Sequence, residues 1–210
     1  MNTWKRSFLF TLVVIALIPT AAFAQDESQR TETTDRHRIT TTIKTEKNGD
    51  IFLVHEMTIN APVEAVWAAF ATTEGWTSWS VPVGKVDLKI GGLIQSNYRP
   101  DGKLTDEDTI TLHIINYVPQ RALTLQAELG PHFPDVLKSR EKQMYNLITF
   151  DPINKRKTKL VSYGIGYKDT PELQKMLHFF VKGNEQSYEQ LIKYLETGAA
   201  NPHTVSGAAE

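Results

Sequence analysis

The chain contains no cysteine. That excludes disulfides, thiolate metal sites, a cysteine nucleophile and a lipidated-cysteine anchor. It has no excess of positive charge: the formal net charge is -1, so nothing points to nucleic acid. No phosphate loop or dinucleotide fingerprint occurs, since Gly91-Gly92 is followed by no lysine pattern. Ser162 and Ser187 lack the context of a nucleophile elbow. The histidines are His37, His55, His113, His132, His178 and His203, and no two stand at a helical metal spacing. His132 and Asp135 share a loop, but two candidate ligands fall short of a site. No catalytic set, metal or cofactor is therefore expected. Asp106-Glu107-Asp108 reads as a solvated acidic loop and Lys155-Arg156-Lys157 as a solvated basic turn.

Long apolar runs are also scarce. The one present, residues 8–18, follows Lys5 and Arg6 and precedes Pro19 and Ala22-Phe23-Ala24. This is the pattern of a secretory signal peptide over residues 1–24, and the run is short for a membrane span. Cleavage before Gln25 removes Lys5 and Arg6 and takes the formal charge from -1 to -3. The expectation is a periplasmic or secreted protein with no integral span after cleavage.

What is present is a one-domain length of patterned chain. Residues 25–38 are polar and aperiodic, which predicts a disordered leader. Residues 39–43 are rich in β-formers, Asn48-Gly49 marks a hairpin turn, and residues 51–59 return as a strand. Pro62 then opens a helix, with Glu64 in its first turn and Val63, Val66, Trp67 and Phe70 along one stripe. Gly75 is expected to end or kink it. Strands are predicted over 86–88, 93–99, 108–117, 122–128, 142–150 and 158–167, divided by glycine and proline turns. In the third of these, alternation turns His113 away from the core.

A second helix starts at Asp169-Thr170-Pro171-Glu172, with a cap, proline at the first position and an acid in the first turn. Leu173, Met176, Leu177, Phe180, Tyr188, Leu191 and Leu195 keep its helical spacing, and Gly198 is the stop. Gly183 inside it is either an exposed weak point or a place of close backbone approach. Residues 198–210 read as a flexible tail, leaving 39–197 as the domain. Helices segregated from a run of antiparallel strands make an α+β fold.

The functional candidates left are aromatic. Three of the four tryptophans lie between positions 67 and 79. Trp67, Phe70, Trp76, Trp79, Tyr98, Tyr145, Tyr163 and Phe180 are the candidate ligand-binding residues of a pocket wall, to which ring area and a few hydroxyls are suited. Plain core packing by the same rings is the alternative, and both can hold.

Several motifs now carry a resemblance. Ala61-Pro62-Val63-Glu64-Ala65-Val66-Trp67 is similar to an opening A-P-x-E-x-V-W. Asp87 with Gly91-Gly92 resembles D-x-x-x-G-G, and Pro119-Gln120-Arg121 with Leu123 resembles P-x-R-x-L. Phe150 and Thr158 sit as in an F…T-x-V hairpin, and Leu191 to Leu195 as in a terminal L-x-x-Y-L. In this order they resemble the START-like, Bet v 1-like (SRPBCC) superfamily, and within it the bacterial family named after the heat-shock-protein ATPase activator. Asn184 stands where that family often has a tryptophan. The resemblance implies a helix-grip fold, a curved antiparallel sheet wrapped around a long C-terminal helix, with a hydrophobic cavity between them. It implies a binding or carrier protein for a small apolar or amphipathic ligand. The alternatives are a cyclase-like enzyme using the same pocket and a chaperone-activator-like interaction protein.

Overall fold

The computed structural model describes residues 30–36, 38–130 and 133–201. The segment expected to be a signal peptide, and residues 202–210 of the tail, lie outside the described residues. Nine antiparallel strands form one curved sheet among the described residues: β1 (Arg30–Arg36), β2 (Ile39–Thr45), β3 (Asp50–Ile59), β4 (Val83–Val86), β5 (Leu93–Asn97), β6 (Ile110–Val118), β7 (Ala122–Ala127), β8 (Tyr145–Asn154) and β9 (Lys157–Lys168). Their spatial order is β1-β2-β3-β9-β8-β7-β6-β5-β4. The helices are α1 (Val63–Ala71), α2 (Thr73–Trp79), the short α3 (Asp135–Lys138) and α4 (Pro171–Thr197). This is the α+β architecture that the sequence pattern implies, in the helix-grip form that the family resemblance implies.

The long helix is fixed by its ends. The Thr170 side chain accepts from the Leu173 N–H at 3.4 Å, Pro171 follows it, and Gly198 closes the helix in the left-handed region at φ 72°. Leu173, Leu177, Tyr188, Leu191 and Ile192 then bury one face of α4 against the sheet.

Three expectations are corrected. Residues 30–36 are a strand rather than a disordered leader: the β-branched Thr31, Thr33 and Thr34 pair along β2 and cover its free edge. The helical run after Pro62 breaks at Thr72, not at Gly75. Thr72 is extended, and its hydroxyl caps α2 by accepting from the Gly75 N–H at 3.0 Å. Gly75 instead permits close packing, because a Cβ there would collide with the Ala68 carbonyl. The start of the tail is docked: Asn201 is 8% exposed, and its Nδ2 donates to the Trp79 carbonyl at 3.0 Å.

Candidate functional site

Strand alternation decides what faces α4. On β3, Ile51, Leu53, His55, Met57 and Ile59 point to the buried side. Cross-strand partners share that side: Thr41 on β2 and Ser162 on β9 flank His55. Asn146 lies on the same side of β8, between Met144 and Ile148.

Two apolar clusters occupy this concave face. The larger contains Ile39, Met57, Ile59, Leu160, Ile148, Phe150 and the rings of α1 and α2, closed by Tyr188, Leu191 and Ile192 of α4. The smaller contains Ile43, Ile51, Leu53, Tyr167 and Leu177, with Met144, Phe180 and Val181 against it. Between them runs a polar belt, one residue from each of four adjacent strands: Thr41, His55, Ser162 and Asn146. From above, α4 adds Glu185 and Tyr188.

The belt is bonded at both ends and buried except at Asn146, which is part-buried. Thr41 Oγ1 donates to Glu185 Oε1 at 2.6 Å, and Glu185 is 6% exposed. Ser162 Oγ donates to Asn146 Oδ1 at 2.8 Å, and the Tyr188 hydroxyl joins this pair. Burial raises the Tyr188 phenol above its ordinary range, so it stays protonated. His55 sits in the middle. It is 1% exposed, and neither ring nitrogen makes a hydrogen bond of acceptable geometry. Its ring lies 5.5 Å from that of Tyr188, tilted by 59°. Burial pushes the imidazole down to about 4, only partly offset by the Val181 backbone, so it is neutral at pH 7. An unpaired buried polar group costs about 1–3 kcal/mol.

The residues named from sequence fall into three groups. Trp67, Phe70, Trp76 and Trp79 are brought together as one packed core. Phe70 lies 5.3 Å from Trp79 and 5.5 Å from Phe150, and Trp67 lies 5.3 Å from Phe150. Both neighbouring indoles have partners: Trp76 Nε1 donates to Ser96 Oγ at 2.9 Å, and Trp79 Nε1 to the Ala69 carbonyl at 2.8 Å. Phe180 sits beside the smaller cluster, stacked on Phe133 at 6.4 Å and edge-on to Tyr167 at 6.1 Å. Tyr145, Tyr163 and Tyr98 are not in this site. Tyr163 pairs with Val54 and Leu147, and Tyr145 with Ile165, all on the face turned away from α4. Tyr98 is 59% exposed after β5. An open depression of about 140 Å³ also lies on the far face, lined by Arg38, Thr40, Glu56, Met57 and Thr58.

Sequence reasoning missed the belt. Its one available signal was His55, in phase with Leu53 and Met57 on a strand whose other inward residues are apolar. His113 is half-exposed, 3.4 Å from Glu128, as its parity predicts. Among the described residues, no group of three or more His, Asp or Glu could hold a metal ion. No described helix is long and apolar enough to cross a membrane.

A curved antiparallel sheet gripping one long C-terminal helix is the architecture of a START-like, Bet v 1-like protein. The chain belongs to the Activator of Hsp90 ATPase homolog 1-like family, whose model matches residues 60–196. No curated protein is a significant match to the sequence.

Solved structures show the same fold at low identity. A conserved protein of unknown function from Enterococcus faecalis is 19% identical, with a TM-score of 0.54 over 79% of this chain and 82% of its own. The Aha1 dimer from Colwellia psychrerythraea is 16% identical, at 0.54 over 70% and 97%. CalU16 from Micromonospora echinospora is 18% identical, at 0.53 over 85% and 91%.

Proposed function

We propose that this chain binds a small apolar or amphipathic molecule between α4 and the concave face of the sheet. The observation that carries the reading is His55, buried without a hydrogen bond of good geometry between two apolar clusters. A core built only for stability gains nothing from an unpaired imidazole. A ligand with an apolar body and one polar group uses all three elements. His55 is sealed by α4, so entry requires the helix to yield. Leu173 and Leu177 hold its first half, beside the exposed His178, Phe179 and Gly183, and Leu191, Ile192 and Glu196 secure the second half.

The role is that of a carrier, acting in the periplasm or outside the cell. The charged start, apolar run and Ala22-Phe23-Ala24 support export. Export would also separate the chain from a cytoplasmic chaperone. A second reading, a small-molecule enzyme, is favoured by the neutral His55 lying beside Thr41, which holds the Glu185 carboxylate. Such an imidazole could move a proton on a bound substrate.

Native mass spectrometry of protein purified from its own host tests the carrier reading. A co-purifying small molecule of fixed stoichiometry is expected. Ligand-free protein that also fails to bind apolar probes would overturn it. The intact mass of envelope-fraction protein tests export, with a chain beginning at Gln25 as the expected form.

A further inference from the structure

The belt has a chemical preference that its apolar surroundings do not. A neutral imidazole carries one N–H donor and one bare acceptor nitrogen. Both are buried in His55 and neither makes a hydrogen bond of good geometry, with the Val181 backbone near enough to favour the protonated ring slightly. Every other polar side chain of the belt has a partner: Thr41 is bound to Glu185, and Ser162 and Asn146 to each other and to Tyr188. His55 thus offers one donor and one acceptor on a single ring at the centre of the belt. The carboxylate that α4 brings to the belt is Glu185, already accepting from Thr41.

A ligand carboxylate would meet that carboxylate at low dielectric and could use only the donor nitrogen. An ammonium could use only the acceptor, and would surrender its hydration in an apolar space. A hydroxyl both donates and accepts, and costs far less to desolvate.

We propose that His55 is the polar anchor of the ligand site and selects uncharged hydroxylated apolar molecules, phenols or alcohols, over acids and amines. This rests on the binding reading above. It adds the class of ligand and the residue that chooses it. The two apolar clusters flanking His55 take the ring or chain, and the hydroxyl lies at the belt.

The test is calorimetric titration of the full chain with four probes sharing one body: naphthalene, 2-naphthol, 2-naphthoate and 2-naphthylmethylamine. Wild type is expected to prefer naphthol over naphthalene by about tenfold, the worth of a good net hydrogen bond. Naphthoate and the amine should bind more weakly than naphthol. In His55→Leu the naphthol-to-naphthalene ratio should fall to near one. Histidine-selective 15N NMR of wild type should show the His55 ring nitrogens shifting with naphthol and not with naphthalene. That readout decides the matter even if the variant does not fold. Equal binding of naphthol and naphthalene, tightest binding by naphthoate or the amine, a ratio that survives His55→Leu, or a silent His55 ring would each overturn the assignment. These outcomes leave the binding reading standing. Failure of all four probes to bind would overturn both.

Discussion

Arg38 and Glu196 stand 158 residues apart and meet fork to fork, Nη1 2.8 Å from Oε2 and Nη2 2.9 Å from Oε1. The same carboxylate accepts from the Asn60 N–H at 2.8 Å and from Asn60 Nδ2 at 3.0 Å. Arg38 Nη2 also donates to the Thr58 carbonyl at 2.7 Å. The end of α4 is thereby tied to the start of β2 and the end of β3. Arg38 holds this position with a left-handed backbone, φ 73°, which is unfavourable for a long side chain. The clamp fixes the second half of the helix, and so sets Glu185 and Tyr188 over the belt.

Removing the clamp should loosen the helix. The pair is partly solvated, with side-chain exposures of 45% and 19%, so water screens part of its attraction. Glu196→Gln is expected to destabilise the protein by about 1–2 kcal/mol, as for a charge-assisted bond at a half-open site. Urea melts of the single and double variants with Arg38→Ala check this. Fully additive losses would show that the two side chains do not act as one unit.

Stability should fall on mild acidification. His55 titrates at about 4 when folded, against about 6.5 in an unfolded chain. Between those values the unfolded state binds more protons, so stability is fully present above pH ~6.5 and is lost as pH drops toward ~4, by about 3 kcal/mol in all. The groups facing it are Thr41 from β2, Ser162 from β9, and Glu185 and Tyr188 from α4. Glu196, held low by Arg38, adds a separate loss once pH falls below its ordinary value of 4.5. Denaturant melts from pH 7.5 to 5 should therefore slope in wild type and flatten in His55→Leu; a persisting slope in the variant would assign the effect elsewhere.

Phe180 and Phe150 should respond differently to truncation. Phe150 is fully buried among Trp67 and Phe70, and its change to alanine should cost about 3–5 kcal/mol. Phe180 is half-buried beside Phe133 and Tyr167, so Phe180→Ala should cost about 1–3 kcal/mol. An apolar probe that binds under the first half of α4 should lose affinity in Phe180→Ala. Equal losses of stability for the two variants would mean that Phe180 is core.

Gly183 resolves to the exposed weak point of the two alternatives, since a Cβ there meets nothing within 4 Å. Gly183→Ala should raise stability by about 0.5–1 kcal/mol through helix propensity alone. Thermal melts of the variant provide the check. A destabilised variant would show that the bend-prone position serves the native helix.

The caps and stripes of α1 and α4 were legible because they are local. Thr170, Pro171, Leu173 and Gly198 act within a turn or two of the chain, and their chemistry is the same in any fold. The strands from β2 onward were legible for the same reason, and the motif order from Ala61 to Leu195 anticipated the family. The site was read less well. Facing on a strand has a period of two, so Ser162 and Tyr163 point to opposite sides, as do Asn146 and Tyr145. The aromatic neighbour drew attention in each pair, while the small polar residue was the one turned toward α4.

Composition and local pattern thus determined most element types from Ile39 onward, both ends of α4, and the absence of cysteine chemistry. Only the tertiary structure decided that the tryptophans fill a core, that Arg30–Arg36 becomes an edge strand, and that Asn201 docks on α2. It alone assembled the belt. Thr41, His55, Asn146 and Ser162 come from four strands, and Glu185 from a helix 144 residues beyond Thr41. No local rule spans that distance, because the pairing that unites them is set by long-range register and by which face of α4 the apolar stripe buries.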